Sequence, residues 1–339
     1  MDFALTETQT DLRAAARRYL GDRYPASRIA ELSDAAGHDG GAWPELERQG
    51  WLDADLGMVE LALLAEEGGR ALHPAPWWAT AGQALPVYAA AGVGLPGPAT
   101  LADGSDTCRA SRECDGWLLR GRVASVVDAR AAAEIVVAAR TGTGVALLGV
   151  RPDAPGLSRV ERAGIDPLRE VSDLELVRTP ARLLVGSPSA EPLLASAGRR
   201  AVALLACEAV GVADRALELA VEYAGTRVQF DRPIGSYQAV GHLLADGYAE
   251  LELARSLAYR AACALQDQAE DAGQALACAV HAAGQAATRV CETAIQVCGG
   301  IGVTWEFPVH RWYRRALWLE AFHAGRPDPL AALAEVVLG

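Results

Sequence analysis

Apolar residues recur at helical spacing through roughly the first 95 residues. Leu12, Ala16 and Leu20 step by four, one face of a 3.6-residue period. Thr6 and Gln9 precede them with capping-box spacing. A second helical stretch is expected over 42–50 and a third over 58–72, with Leu61, Leu64 and Ala65 on its apolar face. His73-Pro74-Ala75-Pro76 ends that run, because proline cannot continue a helix. From 96 to 186 the period shortens. A turn-rich stretch, 94–106, gives way to short β-like runs: Trp117–Arg120, Ile135–Ala138 and Val145–Val150. Strands at this spacing predict a small barrel or sandwich. No Gly-x-Gly-x-x-Gly follows a strand, so no Rossmann unit is expected. Beyond Pro188 the helical period returns, over about 191–225, from 236 onward, over about 271–298 and over about 309–322. Val240, Leu244, Gly247, Leu251, Ala254 and Ala258 form the apolar seam of a helix packed in a bundle. The expected fold is α+β multidomain: an N-terminal helical domain (1–95), a middle β domain (96–186) and a C-terminal four-helix bundle (187–339).

Composition narrows the function. The 339 residues, 51% hydrophobic, suffice for large cores and suggest about two domains by length alone. A net charge of −12 argues against a nucleic-acid partner. Lysine is absent, which excludes Schiff-base chemistry and a phosphate-loop lysine in this chain. No apolar run reaches the roughly 20 residues of a membrane span. Asp2, Glu7 and Asp11 interrupt the N-terminus, so no signal peptide is expected. The seven cysteines (Cys108, Cys114, Cys207, Cys263, Cys278, Cys291, Cys298) include no Cys-x-x-Cys pair. They read as buried, reduced thiols of a cytoplasmic protein, without a metal site.

Two strings carry candidate chemistry. The first is Arg227-Val228-Gln229-Phe230-Asp231-Arg232-Pro233-Ile234-Gly235-Ser236-Tyr237-Gln238. The second is Ile295-Gln296-Val297-Cys298-Gly299-Gly300-Ile301-Gly302, followed by Phe307-Pro308-Val309 and Arg314. Arg227 opens a loop between two long helices and can hold a phosphate through a bidentate pair. Phe230 can offer an apolar face to a ring, and Gln238 can hydrogen-bond a sugar or phosphate. Gly299 and Gly300 end a helix and allow backbone to approach a ligand closely. Singly, these residues have ordinary roles as salt-bridge partner, core side chain and helix cap. Together, in this order, they point to a ligand.

Both strings closely resemble the C-terminal signatures of the acyl-CoA dehydrogenase family. The opening Met1-Asp2-Phe3 with Thr6-Glu7 and Gln9, and Glu66-Glu67-Gly68-Gly69-Arg70-Ala71-Leu72, are similar to that family too. The resemblance implies α,β-desaturation of an acyl thioester with FAD. It implies that Arg227, Gln229, Phe230, Gln238, Gln296, Gly299 and Gly300 bind the ADP half of FAD across a subunit interface, and therefore an oligomer.

The middle of the chain departs from the family pattern. Of the loop expected to touch flavin and acyl-CoA, only Gly104-Ser105-Asp106 remains. Ser125-Val126-Val127 stands where the family places Trp-Ile-Thr, so both the aromatic shield and the hydroxyl donor are missing. The stretch between Leu52 and Glu66 is shortened. The two family positions for the catalytic carboxylate hold His323 and Ala201. Three substitutes are candidates: His323 as a base titrating near neutrality, Glu320 one turn earlier to orient it, and Glu208. Glu208 interrupts an apolar run, where desolvation raises a carboxyl pKa. Trp77 and Trp78 are expected in core or surface packing rather than an acyl pocket, and Trp305, Trp312 and Trp318 against the bundle. Arg311, Arg314 and Arg315 form a basic cluster expected on a solvated or ion-paired face.

Three functional readings follow. The chain resembles the short, degenerate subunit of actinobacterial heteromeric acyl-CoA dehydrogenases, which implies a sibling subunit supplying the catalytic Glu. Alternatively it is self-sufficient with His323 or Glu208 as acid/base, or it is a non-catalytic scaffold.

Overall fold

A computed structural model describes residues 4–35, 37–113 and 116–324, with 331, 333, 334 and 338 beyond them. The chain forms two compact units. One is built from Met1–Glu31, Gly57–His73 and Val202–Gly339, the other from Leu32–Leu56 and Pro74–Ala201.

In the first unit, α1 (Glu7–Arg23) starts at the predicted capping box. Thr6 Oγ1 accepts from the Gln9 N–H at 3.2 Å, and Gln9 Oε1 accepts from the Thr6 N–H at 3.0 Å. Helix α4 (Met58–Arg70) buries every position from Met58 to Gly69 except Glu60. It is apolar nearly all round, as a core helix must be. Its two buried carboxylates are matched by donors. Arg255 Nε (3.2 Å) and the Tyr259 hydroxyl (2.7 Å) donate to Glu66, and Arg17 grips Glu67 bidentately at 2.9 and 2.8 Å. Burial pushes the Glu67 carboxyl above its ordinary range, with Arg17 opposing the shift. Helix α4 crosses the long α6 (Ala190–Thr226) at two glycines. A Cβ on Gly69 would lie 2.1 Å from the Glu208 carbonyl oxygen, and one on Gly211 would lie 1.8 Å from that of Glu66. Helices α7 (Gln238–Gln266), α8 (Ala272–Cys298) and α9 (Val309–Ala324) complete the unit. The seam residues Gly247, Leu251, Ala254 and Ala258 are buried as the spacing predicts, whereas Val240 and Leu244 are only partly covered.

The second unit centres on a seven-stranded sheet. Its strands are β1 (Ala99–Asp103), β2 (Cys108–Glu113), β3 (Gly116–Val127), β4 (Glu134–Thr141), β5 (Gly144–Val150), β6 (Leu157–Arg162) and β7 (Val171–Val185). The order is β1-β4-β2-β3-β7-β5, and β5 pairs back onto β4 from Ile135↔Val150 to Thr141↔Gly144. That return pairing closes β4, β2, β3, β7 and β5 into a barrel, with β1 added alongside β4 and β6 alongside β7. Leu119, Ile135, Val137, Leu148 and Leu174 fill its interior. Helix α3 (Trp43–Arg48) falls in the expected 42–50 stretch, whereas α2 (Ala26–Asp34), which begins in the first unit and ends in the second, and α5 (Leu85–Ala91), led by a π-helical turn over Ala79–Ala84, were not delimited by the sequence within the helical region 1–95. Val87 and Tyr88 of α5 pack on Val136 and Leu147. The buried Glu134 accepts from Tyr88 and, bidentately at 2.9 and 2.7 Å, from Arg182. Burial alone would raise its pKa, but those two donors hold it below the ordinary carboxylate range.

Among the described residues, no helix is long and apolar enough to cross a membrane. Cys108, Cys207, Cys291 and Cys298 are buried free thiols, and Cys263 and Cys278 are partly exposed. Cys114 lies outside the described residues.

Candidate functional site

Helix α6 ends where Thr226 turns its hydroxyl back onto the Glu222 and Tyr223 carbonyls at 3.1 and 3.2 Å. The Arg227 N–H still reaches the Tyr223 carbonyl at 2.8 Å. The chain then reverses in a two-residue hairpin, β8 (Val228–Gln229) against β9 (Arg232–Pro233). Both tip residues are left-handed, Phe230 at φ 51° and Asp231 at φ 65°. That is the turn geometry matching strand twist, and it ordinarily selects Asn and Gly. A phenylalanine there is strained, and backbone strain of this kind clusters at functional sites. The Phe230 ring is 88% exposed. The hairpin behind it is well tied. The Ile234 N–H donates to the Arg227 carbonyl at 2.8 Å, the Tyr237 hydroxyl to the Gln229 carbonyl at 3.0 Å, and the Arg232 guanidinium lies 3.9 Å over the Tyr237 ring.

Gln238 is the first residue of α7, whose first turn carries no acidic side chain and no side-chain cap. A bare helix N-terminus presents N–H groups and a positive dipole end. Gln296 is exposed on the last turn of α8. Gly299, at φ 65°, caps that helix by donating to the Gln296 and Ile295 carbonyls. A Cβ on Gly299 or Gly300 would meet nothing within 4 Å, so the glycines face open space. The side chains of Arg227, Gln238 and Gln296 make no hydrogen bond or ion pair among the described residues. The Gln229 side-chain amide donates to its neighbour's carbonyl at 2.8 Å. The arrangement can present a guanidinium, amides, an aromatic face and bare backbone to a phosphate-bearing ligand.

Of the candidate acid/base residues, Glu208 and Glu320 each have a partner of their own. Glu208 is buried and accepts from Arg315 Nη1 at 2.5 Å, and Arg315 is fully buried. This is the interhelical ion pair that a carboxylate in an apolar run requires. Glu320 is exposed and accepts from the Thr288 hydroxyl at 2.8 Å. The His323 side chain lies outside the described residues, although its backbone belongs to α9. Ala201 is buried, and its carbonyl accepts from the Trp78 indole at 2.9 Å. Val126 is barrel core, Val127 is buried, and the Ser125 N–H donates to Asp173 at 3.0 Å. Ser105 folds back onto Asp103, and Asp106 pairs with Arg140 at 3.4 Å.

Trp77 and Trp78 are core residues, as are Trp312 and Trp318. Trp305 differs from the expectation. It is 65% exposed, its edge meets His310 with centroids 4.9 Å apart, and Arg311 and Arg314 lie 5.5 and 5.2 Å from its ring. Burial, together with those two guanidinium groups, pushes His310 down to about 4. No sequence signal marked His310, because only the folded turn brings it onto Trp305.

A family model described as the acyl-CoA dehydrogenase C-terminal domain matches residues 199–325. The Acyl-CoA dehydrogenase IpdE2 of Mycobacterium tuberculosis is 33% identical over 304 residues, 86% of this chain and 85% of that protein. Among solved structures, the Tcur3481-Tcur3483 steroid ACAD G363A variant matches with TM-score 0.85 and 28% identity, over 98% of both chains. The ChsE4-ChsE5 complex from Mycobacterium tuberculosis matches with TM-score 0.84 and 27% identity, over 99% of this chain and 98% of that one. The chain belongs to the acyl-CoA dehydrogenase family of oxidoreductases.

Proposed function

We propose that this chain is one subunit of a FAD-dependent acyl-CoA dehydrogenase that introduces an α,β double bond into an acyl thioester. In this reading it contributes the ADP-binding half of a FAD site shared with a sibling subunit. The observation that carries the proposal is Phe230, held left-handed at φ 51° and 88% exposed on a hairpin otherwise well bonded. A strained, solvent-facing aromatic is costly unless a ligand or partner covers it. The Tcur3481-Tcur3483 steroid ACAD variant and the ChsE4-ChsE5 complex, 28 and 27% identical over nearly their whole length, each join two differently named components, which supports the heteromeric assembly.

The residues present fit the cofactor's ADP portion. Arg227 would pair with the pyrophosphate, and Phe230 would cover an apolar face of the nucleotide. Gln229, Gln238 and Gln296 would hydrogen-bond its polar edges, while Gly299 and Gly300 would allow backbone approach. When bound, FAD supplies a hydride acceptor for the substrate β-carbon. Within the proposed three-region organisation, these contacts all belong to 187–339. Proton abstraction is assigned to a carboxylate of the sibling subunit, because Glu208 is engaged by Arg315 and Ala201 has no acidic group.

Arg227→Ala, co-produced with the sibling, should leave the complex mass unchanged and lower its flavin-to-protein ratio severalfold. An unchanged ratio would contradict the assignment.

A further inference from the structure

The first unit contains a cavity of about 400 Å³ that the proposed cofactor half-site does not use. Its walls come from Leu5 just before α1, from the first turns of α1 (Gln9, Arg13), from Val59 at the start of α4, and from one face of α7 (Arg255, Ser256, Tyr259, Cys263). The volume falls within the range of small-molecule sites, and the mixture of apolar wall and few polar groups is typical of them.

Most of the polar wall is already anchored. Gln9 is fixed by the capping box and donates to Glu60 at 2.8 Å. Arg255 and Tyr259 are held on the buried Glu66 at 3.2 and 2.7 Å, and Arg255 also pairs with Glu252 and with Asp214 at 3.2 Å. The Ser256 hydroxyl donates to the Glu252 carbonyl at 2.9 Å. The Val59 N–H reaches Gln266 at 3.4 Å, steadying the apolar side. The acidic groups nearby therefore have donors of their own.

Arg13 is the exception. It is half-buried on the cavity wall and makes no ion pair or hydrogen bond among the described residues. Its neighbour one turn on, Arg17, grips Glu67. A guanidinium offers five donors in a planar fork that matches a carboxylate bidentately. Leu5 and Val59 supply an apolar wall within the same space.

The geometry points to a binding site for a small aliphatic carboxylate, its head group on Arg13 and its chain against Leu5 and Val59. Such a site sits apart from the cofactor hairpin and would sense a free acid rather than its thioester, because a thioester lacks the terminal anion.

Hexanoate serves as the probe, with hexanol as the same chain without the charge, both titrated calorimetrically into the full chain. One saturable hexanoate site is expected. Arg13→Gln should weaken it about tenfold or more, the scale of one lost charge-assisted pair, and hexanol should bind wild type correspondingly weakly. Ser256→Leu, at an exposed position whose hydroxyl bonds only its own helix, narrows the cavity with Arg13 intact and should also weaken hexanoate. Far-UV circular dichroism checks that both variants fold. Absence of saturable hexanoate binding, equal affinity for hexanol, or wild-type affinity in both variants would overturn the proposal.

Discussion

The rings of Tyr223 and Phe307 meet edge to face with centroids 5.6 Å apart. Tyr223 lies in the last turn of α6, and its carbonyl receives the Arg227 N–H. Phe307 follows the turn that begins at Gly299. The pair thus fastens the segment after the second signature string to the root of the first. Residues far apart in sequence are held on one unit by an aromatic contact, an arrangement worth about 1 kcal/mol beyond the area it buries.

Phe230 allows stability and cofactor binding to be separated. Phe230→Gly removes a side chain that touches little and relieves a left-handed backbone. It should raise the unfolding free energy by about 0.5–1 kcal/mol in urea titrations. The same variant should hold less flavin in the assembled complex. A loss of stability, or undiminished flavin, would contradict the role given to this ring.

The Glu208–Arg315 pair should behave as a structural ion pair. Arg315→Met strands a buried carboxylate and should cost about 3–5 kcal/mol in denaturant unfolding. Glu208→Leu combined with Arg315→Met should recover much of that loss, because two apolar side chains need no partner. Additive losses in the double variant would show that the charges themselves are needed.

The crossing of α4 and α6 depends on Gly211. A methyl group there would lie 1.8 Å from the Glu66 carbonyl oxygen, so Gly211→Ala should destabilise by at least about 1–3 kcal/mol. Gly284→Ala is the control within α8. Its Cβ would meet nothing within 4 Å, and alanine should add about 0.5–1 kcal/mol through helix propensity. Thermal melts of the two variants should move in opposite directions.

His310 gives the fold a pH dependence of known sign. Its folded pKa is lowered from 6.5 to about 4, by burial and then by Arg311 and Arg314. The unfolded chain therefore takes up the proton first as pH falls. The contribution of the neutral imidazole is fully present above about 6.5 and is lost as pH drops towards 4. His310→Gln should show a smaller decline in Tm between pH 7 and 5 than wild type. Parallel declines would show that His310 does not contribute.

The outline of the fold was legible where periodicity was long. The capping box at Thr6, the start of α4 and the buried part of the α7 seam follow directly from spacing. Helix α2 escaped because its nine residues span barely two and a half turns, and the Ala79–Ala91 segment because Ala-rich sequence gives little contrast between faces. Strands β1, β2, β6 and β7 escaped because closing the barrel is non-local: Ile135 finds Val150 through a turn, whereas Trp117 finds Ala181 across the domain. At the site, the signature strings located the hairpin and the α8 terminus. They could not show that Phe230 is left-handed, nor that Glu208 is neutralised by a residue 107 positions later. Trp305 looked like core because tryptophan usually is. Its exposure depends on a turn whose course the sequence alone does not fix.

The central claim is that this chain holds half of a cofactor site. It is tested most directly by the visible absorption spectrum and native mass of the chain produced alone and together with its sibling subunit. The account predicts a colourless protein alone and a yellow hetero-oligomer with bound FAD when the two are made together. A yellow homo-oligomer carrying one FAD per chain, formed without a sibling, would contradict it.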